Sequence, residues 1–357
     1  MKIVQFGLPF SPNLGDGLIS DCFAHGVRQV RPEARVVAVD LSGRQDFGEA
    51  VVANRSRALA LLRRLPRPAR HALVEAKLGR VLARVRPAWR AALAGADLAV
   101  IGGGQLFSDA DLNFPTKVAA AAGLARAADV PVAVHAAGVA RNWSRRGTHL
   151  FGGVFAADLR HVGLRDAPSI AAWRAQTGGR GPAPALCRDP GVLARDCYGA
   201  VAADDRVGLC VAAPEILSYH AERDAGAGLG GAFFEELARA LLDRGHRLRL
   251  FCNGAEEDAA ALAALSQALR DAGDAVETAP VPDRPAALAH LVGGCAAVVA
   301  HRLHACIVAV SYGRPVIGLG WDRKVESFFD EIGAPEAFAP AGTPPDRKST
   351  RLNSSHY

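Results

Sequence analysis

The sequence lacks the long apolar stretches that membrane insertion and secretion require. It contains no run of about 18 or more apolar residues, close to the minimum for a membrane-spanning helix. The opening residues, Met1 to Gly7, have neither the extended apolar region nor the small-residue cleavage site of a signal peptide. We therefore expect a soluble cytoplasmic protein.

Cysteine is sparse and irregularly spaced. The chain has seven cysteines and no CxxC pair, whereas zinc sites and disulfide frameworks depend on paired spacings. An odd number cannot pair completely, and several of the cysteines lie in apolar runs. This favours buried free thiols over a metal site or a disulfide framework.

Acidic residues are scarce between residues 55 and 90, where ten Arg and one Lys face the single acid Glu75. The Leu, Val and Ala spacing predicts an amphipathic helix pair broken near Pro66 and Pro68. Trp89 is the one aromatic residue in this window, and no nucleic-acid-binding motif accompanies it, so we expect no nucleic-acid partner. A solvated helix face is one interpretation. Docking on an anionic membrane surface or on a lipid-diphosphate acceptor is the other.

Strand-like and helix-like runs alternate along the chain, which is typical of parallel sheets covered by helices. The alternation pauses after Pro190 and restarts near Val207. This pattern predicts two domains, at residues 1–195 and 196–340. The predicted strands are Lys2 to Leu8, Arg35 to Leu41, Leu98 to Gly102, Val130 to Ala136, His161 to Leu164, Val207 to Ala212, His246 to Cys252, Ala296 to Ala300 and Pro315 to Gly320.

The tail at residues 341–357 is treated separately. Its last twelve residues, 346–357, have no periodicity. They look like an adapter or expression scar, and a natural disordered terminus is the alternative.

Two motifs follow strands of the first predicted domain. Asn13, Gly15 and Asp16 open a helix, where they either shape an anion-binding loop or, in the case of Asp16, cap the helix. Gly102 to Gly104 follow a buried strand and allow a ligand to approach the backbone closely. A plain tight turn is the alternative. Asp109, five residues further on, is either a general base or a cap.

Two further motifs place cations at strand ends. Arg165 follows the strand at His161 to Leu164, and Asp166 is predicted to cap the next helix. His301, Arg302 and His304 follow the strand at Ala296 to Ala300, at the start of a helix that Gly313 ends. A guanidinium suits a carboxylate or phosphate, and a helix N-terminus favours an anion.

These four segments together resemble the polysaccharide pyruvyl transferase family. Its members carry Asn-x-Gly-Asp, Gly-Gly-Gly-x-Leu-x-x-Asp, Arg-Asp-x-x-Ser and a closing Arg-Leu-His. Here the four motifs stand, in the same order, at Asn13 to Asp16, Gly102 to Asp109, Arg165 to Ser169 and Arg302 to His304. The resemblance spans roughly residues 10 to 330 and does not include the basic window.

The resemblance implies two Rossmann-like α/β domains with parallel sheets, similar to B-type glycosyltransferases, with a ligand cleft between them. The N-terminal domain would serve the acceptor and the C-terminal domain the donor, phosphoenolpyruvate. The product would be a pyruvyl ketal on a sugar hydroxyl pair, made during cell-surface polysaccharide biosynthesis. The acceptor would be a sugar or lipid-linked oligosaccharide. Peripheral contact with the inner face of the membrane is an expectation from the basic window at residues 55–90, and not from the resemblance.

Roles for single residues follow from the resemblance and from the chemistry of the donor. Arg165 and Arg302 would hold its carboxylate and phosphate, and His304 would protonate its methylene carbon. Asp109 or Asp16 would take the acceptor proton. No cofactor or metal is expected. The residues assigned to substrate binding beside the two arginines are Asn13, Gly103, Gly104, Leu303 and Lys324.

Two other functions remain open on the sequence. A B-type glycosyltransferase that uses a nucleotide sugar would share the two-domain architecture, because fold does not determine chemistry. A non-catalytic sugar- or lipid-binding module, recruited to membranes through the basic window, is the second. The acceptor sugar, the ketal stereochemistry and the oligomeric state have no signal in the sequence.

Overall fold

The computed structural model of the chain describes residues 1–47, 66–109, 111–213, 231–320, 323–340 and 343. Two predictions fall outside these residues. They are the first helix of the basic pair, before Pro66, and the nature of the tail at residues 346–357.

The chain forms two compact units, which we call the N-domain and the C-domain. The N-domain comprises residues 1–11 and 19–190, and the C-domain comprises residues 12–18 and the chain from residue 191 onward. The division falls five residues before the boundary predicted between residues 195 and 196. The assignment of residues 12–18 to the C-domain had no signal in the sequence.

The N-domain is built on a six-stranded parallel sheet with strand order β2-β1-β3-β4-β5-β6. Its apolar strands fit a sheet that is covered on both faces. One face packs against a large core that includes Phe107, Phe151 and Trp173, and the other packs Ile3 and Val100 against Phe23. The strands are β1 (Lys2–Gly7), β2 (Arg35–Asp40), β3 (Leu98–Gly102), β4 (Val132–Ala137), β5 (Leu159–Leu164) and β6 (Ala185–Leu186).

Six helices begin in the first 177 residues of the described chain. Pro66 precedes the second helix and Pro68 lies in its first turn, so the predicted break is the place where this helix starts. The helices are α1 (Leu14–Val30), α2 (Arg67–Leu93), α3 (Asn113–Ala127), α4 (Arg145–Phe151), α5 (Gly153–Ala156) and α6 (Ala167–Thr177).

The C-domain contains a second six-stranded parallel sheet, with strand order β12-β11-β10-β7-β8-β9. Its strands are β7 (Arg206–Cys210), β8 (Arg247–Phe251), β9 (Val276–Thr278), β10 (Ala297–Ala300), β11 (Val316–Leu319) and β12 (Phe338–Ala339). Its helices are α7 (Ala194–Tyr198), α8 (Gly231–Leu242), α9 (Glu256–Ala268), α10 (Pro285–Gly293), α11 (Leu303–Ser311) and α12 (Arg323–Glu331). Short 3-10 helices lie at Pro190–Leu193, Arg270–Ala275 and Pro335–Ala337.

The nine predicted strands are confirmed, each with ends within two residues of the observed ones. The prediction missed β6, β9 and β12, which are two or three residues long and too short for a recognisable apolar run. Gly313, beyond the end of α11, has a φ of 66°, so it ends the helix in the left-handed conformation that was predicted.

The seven cysteines are free thiols. Five are buried, and Cys187 and Cys197 are partly exposed. None of the helices in the described part of the chain is both long and apolar enough to cross a membrane.

Candidate functional site

The glycine segment of the N-domain lies where β3 ends and packs closely against β4. The Gly103 amide donates to the His135 carbonyl oxygen at 3.1 Å, and the Gly138 amide donates to the Gly104 carbonyl at 2.8 Å. A Cβ at Gly102 would collide with the His135 carbonyl, and one at Gly103 would lie 2.6 Å from a methyl of Ile19. Packing within the protein therefore requires glycine at positions 102 and 103. A role of Gly103 and Gly104 in substrate binding stays a prediction.

Arg165 follows β5 and is enclosed by polar partners of its own domain. Its Nε donates to Asp166 Oδ2 at 3.1 Å, and its Nη2 donates to the Gln105 side-chain oxygen. Gly138 makes room for the guanidinium, since a Cβ there would lie 2.8 Å from Arg165 Cζ. Asp166 caps α6 by accepting from the Ser169 amide at 2.7 Å, which confirms the predicted cap.

Asp109 is held by hydrogen bonds on both carboxylate oxygens. Oδ1 accepts from the Leu112 amide at 2.9 Å, and Oδ2 accepts from the Ser144 amide at 2.8 Å and the Ser144 hydroxyl at 2.5 Å. Ser144 in turn caps α4. Of the two roles predicted for Asp109, these contacts favour the structural one.

The C-domain places Arg302 between β10 and α11, against a buried acid. Arg302 Nη2 donates to Asp258 Oδ1 at 2.6 Å and to Asp258 Oδ2 at 2.5 Å. Asp258 is completely buried, and its Oδ1 also accepts from the Ala213 amide at 2.8 Å. Arg302 Nε is buried and has no hydrogen-bond partner among the described residues. The ion pair therefore fixes the guanidinium while one donor stays available.

Asn253, just beyond β8, supplies a second donor beside this pair. Its Oδ1 accepts a hydrogen bond from the Cys210 thiol, with 3.4 Å between Sγ and Oδ1. Burial raises the pKa of Cys210 well above its ordinary value, and the nearby Asp258 carboxylate raises it further, so the thiol keeps its proton. This contact orients the amide, and Asn253 Nδ2 is left without a partner among the described residues.

Residues 12–18 complete the same cluster from the start of the chain. The Leu14 amide donates to the Asn253 carbonyl at 3.0 Å, and the buried Asn13 Oδ1 has no hydrogen-bond partner within the described chain. Gly15 packs against the His304 imidazole so closely that a Cβ would overlap the ring. The first and last of the four motifs therefore lie together in the C-domain.

Asp16 lies two residues into α1, in its first turn, and is partly exposed. The helix begins at Leu14, so the alternative in which Asp16 caps it is wrong. Asn13 precedes the helix instead.

The start of α11 presents Leu303 and His304, which retain 5% and 7% of their surface exposed. Arg302 precedes the helix and makes no side-chain cap. Lys324 lies in the first turn of α12, after β11, and is partly buried. These positions and exposures do not test a role in substrate binding for Leu303, His304 or Lys324.

His301 does not belong to this cluster, although the sequence grouped it with Arg302 and His304. It is fully buried, and its ring centroid lies 5.6 Å from Phe233 and 5.2 Å from Phe234. Its Nδ1 lies 3.3 Å from the Leu319 carbonyl oxygen. His301 is a core residue.

The C-domain cluster offers polar atoms of both kinds to a ligand. Arg302 Nε and Asn253 Nδ2 are donors, and Asn13 Oδ1 is an acceptor; all three are buried without protein partners among the described residues. A buried polar atom without a hydrogen bond costs about 1–3 kcal/mol, so a ligand that carries oxygens and hydroxyls would relieve that cost. Within the described residues, no group of three or more His, Cys, Asp or Glu side chains could hold a metal ion.

Sequence reasoning missed Asn253 and Asp258. A usable signal existed for Asn253, because it follows an apolar strand and precedes a glycine, Gly254. In the structure Gly254 has a φ of 94°. Asp258 had no such signal. It is one of three acids in the first turn of α9, a common arrangement that complements the helix dipole.

Two solved structures with similar folds define the structural class. UDP-N-acetylglucosamine 2-epimerase from Rickettsia bellii matches with a TM-score of 0.53 at 10% sequence identity, covering 100% of this chain and 89% of that one. The Methanocaldococcus jannaschii UDP-GlcNAc 2-epimerase in complex with UDP-GlcNAc and UDP has a TM-score of 0.52 at 11% identity, covering 99% and 91%. The predicted class of two Rossmann-like α/β domains, as in B-type glycosyltransferases, is confirmed.

Sequence comparison identifies the family. The profile described as Polysaccharide pyruvyl transferase matches residues 13–323, which contain all four motifs. The chain belongs to the polysaccharide pyruvyl transferase family. The comparison with curated proteins gives no match.

Proposed function

We propose that the protein transfers the pyruvyl group of phosphoenolpyruvate to two hydroxyls of a sugar, forming a ketal and releasing phosphate. Membership of the family supports a transferase that acts on polysaccharide. The observation that carries the proposal is the group of buried atoms Arg302 Nε, Asn253 Nδ2 and Asn13 Oδ1, which have no partners among the described residues. A small anion with several oxygens suits a guanidinium donor, Arg302 Nε, beside an amide donor, Asn253 Nδ2.

The donor would bind against Arg302 and the start of α11. The Asp258 carboxylate holds Arg302 Nη2, so the guanidinium keeps a fixed direction and offers Nε to a carboxylate or phosphate oxygen. The helix dipole at Leu303 adds a favourable interaction with negative charge. Asn253 Nδ2 provides a neutral donor beside these groups.

The chemistry then requires a proton and two hydroxyls. In its protonated form, His304 donates a proton to the methylene carbon, which becomes a methyl group while the neighbouring carbon becomes oxocarbenium-like. One sugar hydroxyl attacks that carbon and loses its proton to a base. The carbon–oxygen bond to phosphate then breaks, and the second hydroxyl attacks and gives its proton to the departing phosphate.

Asp16 is the better candidate for the base. It is partly exposed and lies next to Gly15, which touches the His304 ring. Asp109 is the weaker candidate, because both of its oxygens already accept hydrogen bonds from Leu112 and Ser144. If an Asp16→Asn variant kept full turnover, Asp16 would not be the base.

The direct test incubates the purified chain with phosphoenolpyruvate and a panel of hexosides, together with lipid-linked oligosaccharides. We expect phosphate release and a product whose mass has increased by one pyruvyl ketal. Phosphate release without a modified sugar would indicate hydrolysis and contradict the proposal.

A ligand-binding test separates this function from nucleotide-sugar transfer. A ligand at 100 times its dissociation constant stabilises a protein by about 2.7 kcal/mol. We expect phosphoenolpyruvate to raise the melting temperature and UDP-sugars to leave it unchanged. The reverse pattern would favour a glycosyltransferase.

Both arginines can be compared in the same assay. Each charge-assisted hydrogen bond contributes roughly 1.5–3 kcal/mol, so Arg302→Gln should weaken phosphoenolpyruvate binding at least tenfold. The family resemblance assigns the donor to Arg165 as well, and Arg165→Gln tests that assignment. Arg174→Gln, at an exposed position of α6, is the control.

A further inference from the structure

Helix α2 carries an unusual share of the charge of the protein. Its 27 residues include seven Lys and Arg and a single Glu, a formal charge of +6. The whole chain also has a formal net charge of +6, so the remaining residues sum to zero. This one helix therefore accounts for the basic character of the protein.

The packing of α2 separates an apolar face from a cationic one. Leu82, Val85 and Trp89 are buried in the N-domain core, and Leu78 is buried on the same side of the helix. The opposite face presents Leu73, Lys77, Arg80 and Arg84, which follow one another at helical spacings of three or four residues. Arg86 and Arg90 are also exposed but point elsewhere, since at 3.6 residues per turn they lie about 180° and about 140° around the helix from Lys77.

The exposed cations of α2 are not neutralised by acids within the described part of the chain. Lys77, Arg80, Arg84, Arg86 and Arg90 form no ion pair with any residue that the structure describes. Glu75, the acid of this helix, pairs with Arg146 at 3.0 Å. The cationic face therefore has an unbalanced charge.

The dimensions and chemistry of this face indicate what it binds. Lys77 and Arg84 are seven residues apart, so the three cations of this face extend over about 10 Å of helix, more than one small anion can contact. Single-stranded nucleic acid is held by stacking on exposed aromatic rings, but Trp89 is only 2% exposed. Leu73, in contrast, is 52% exposed on the same face as Lys77.

We propose that the face formed by Leu73, Lys77, Arg80 and Arg84 binds the surface of a lipid bilayer that contains anionic headgroups. The apolar side of α2 stays in the protein core, so binding is electrostatic, with Leu73 at the contact, and needs no helix insertion. This inference is independent of the donor and of the transfer reaction.

The test is co-sedimentation of the full chain with vesicles of equal parts phosphatidylglycerol and phosphatidylcholine, and with vesicles of phosphatidylcholine alone. Each basic side chain near an anionic surface strengthens binding roughly fivefold. The triple variant Lys77→Gln, Arg80→Gln, Arg84→Gln should therefore bind the anionic vesicles on the order of 100-fold more weakly. We expect no binding to phosphatidylcholine and loss of binding at high salt.

A matched control removes three exposed arginines elsewhere, Arg126→Gln, Arg174→Gln and Arg195→Gln. This control variant should bind vesicles within a few-fold of the affinity of the unmodified chain. Both triple variants should have the same melting temperature as the unmodified chain. Equal losses in the two triple variants would overturn the proposal, because net charge rather than this face would then be responsible. Binding to heparin or duplex DNA without vesicle binding would overturn it in favour of a soluble polyanion.

Discussion

The carboxyl ends of the two parallel sheets differ in how their polar side chains are satisfied. In the N-domain, Arg165 contacts Gln105 and Asp166, and Asp109 accepts three hydrogen bonds. In the C-domain, Arg302, Asn253 and Asn13 each keep a buried atom without a partner in the described chain. Because unsatisfied buried groups are costly, the proposal places the ligand at the carboxyl end of the C-domain sheet, where these three atoms lie.

The largest effect should come from His304. A positioned general acid contributes about 10² to 10⁴ in rate, so His304→Gln should reduce pyruvyl transfer by that factor. His149→Gln, at an exposed position of α4, should leave turnover unchanged. Steady-state phosphate release measures both. Full activity in His304→Gln would remove the C-domain from the chemistry.

Breaking the ion pair beneath Arg302 should come next. Removing one partner of a buried pair costs about 3–5 kcal/mol, so Asp258→Asn should lower the free energy of unfolding by that amount in a denaturant titration. The exposed pair of Asp283 with Arg284 provides the comparison. Asp283→Asn should change the free energy of unfolding little. Similar results for the two variants would show that Asp258 does not hold Arg302 in solution.

The contact between Gly15 and His304 provides a smaller perturbation. An added methyl group at Gly15 would displace the imidazole, and a misplaced catalytic group costs on the order of tenfold to a hundredfold in rate. Gly123→Ala is the matched control, because Gly123 is also helical and a Cβ there meets nothing within 4 Å. If Gly15→Ala and Gly123→Ala are equally active, the motif at Asn13 to Asp16 does not act together with the motif at Arg302 to His304.

The smallest predicted effect concerns His135 in the N-domain. Burial lowers its pKa below the ordinary value of 6.5, and the nearby His161 lowers it further, while Asp189 opposes the shift. The unfolded chain therefore takes up this proton first, so the contribution to stability is complete above pH 6.5 and is lost as pH falls through the lowered pKa. The variant His135→Asn should lose less melting temperature between about pH 7 and about pH 5 than the unmodified chain.

His149→Asn is the control for this pH dependence, since His149 is exposed. It should follow the unmodified chain at both values of pH. A pH dependence of melting that is unchanged in His135→Asn would contradict the assigned cause.

The fold was largely predictable because its strands carry strong local signals. Runs such as Leu98–Gly102 are continuously apolar and stand between helical segments, so period and length identify them without tertiary information. The edge strand Ala185–Leu186 has no such signal, because its pairing with β5 alone defines it. Local pattern therefore predicted the interior of each sheet and the edge strand β2, and missed the three short edge strands β6, β9 and β12.

The candidate site was only partly predictable, for a related reason. Arg302 and His304 lie at a strand end followed by a helix, which a sequence shows directly. The contacts of Gly15 with His304 and of Asp258 with Arg302 join distant segments and depend on tertiary packing. His301 illustrates the opposite error, since the same strand end directs neighbouring side chains into different surroundings.

The position of residues 12–18 has a consequence for biosynthesis. Leu14 pairs with Asn253, which is 239 residues later in the chain. Ribosomes add about 5–20 residues per second, so the segment at Pro12–Leu18 emerges on the order of ten to fifty seconds before its partners exist. During translation the C-domain must recruit one of its own parts from a stretch that was synthesised well before the rest of the domain.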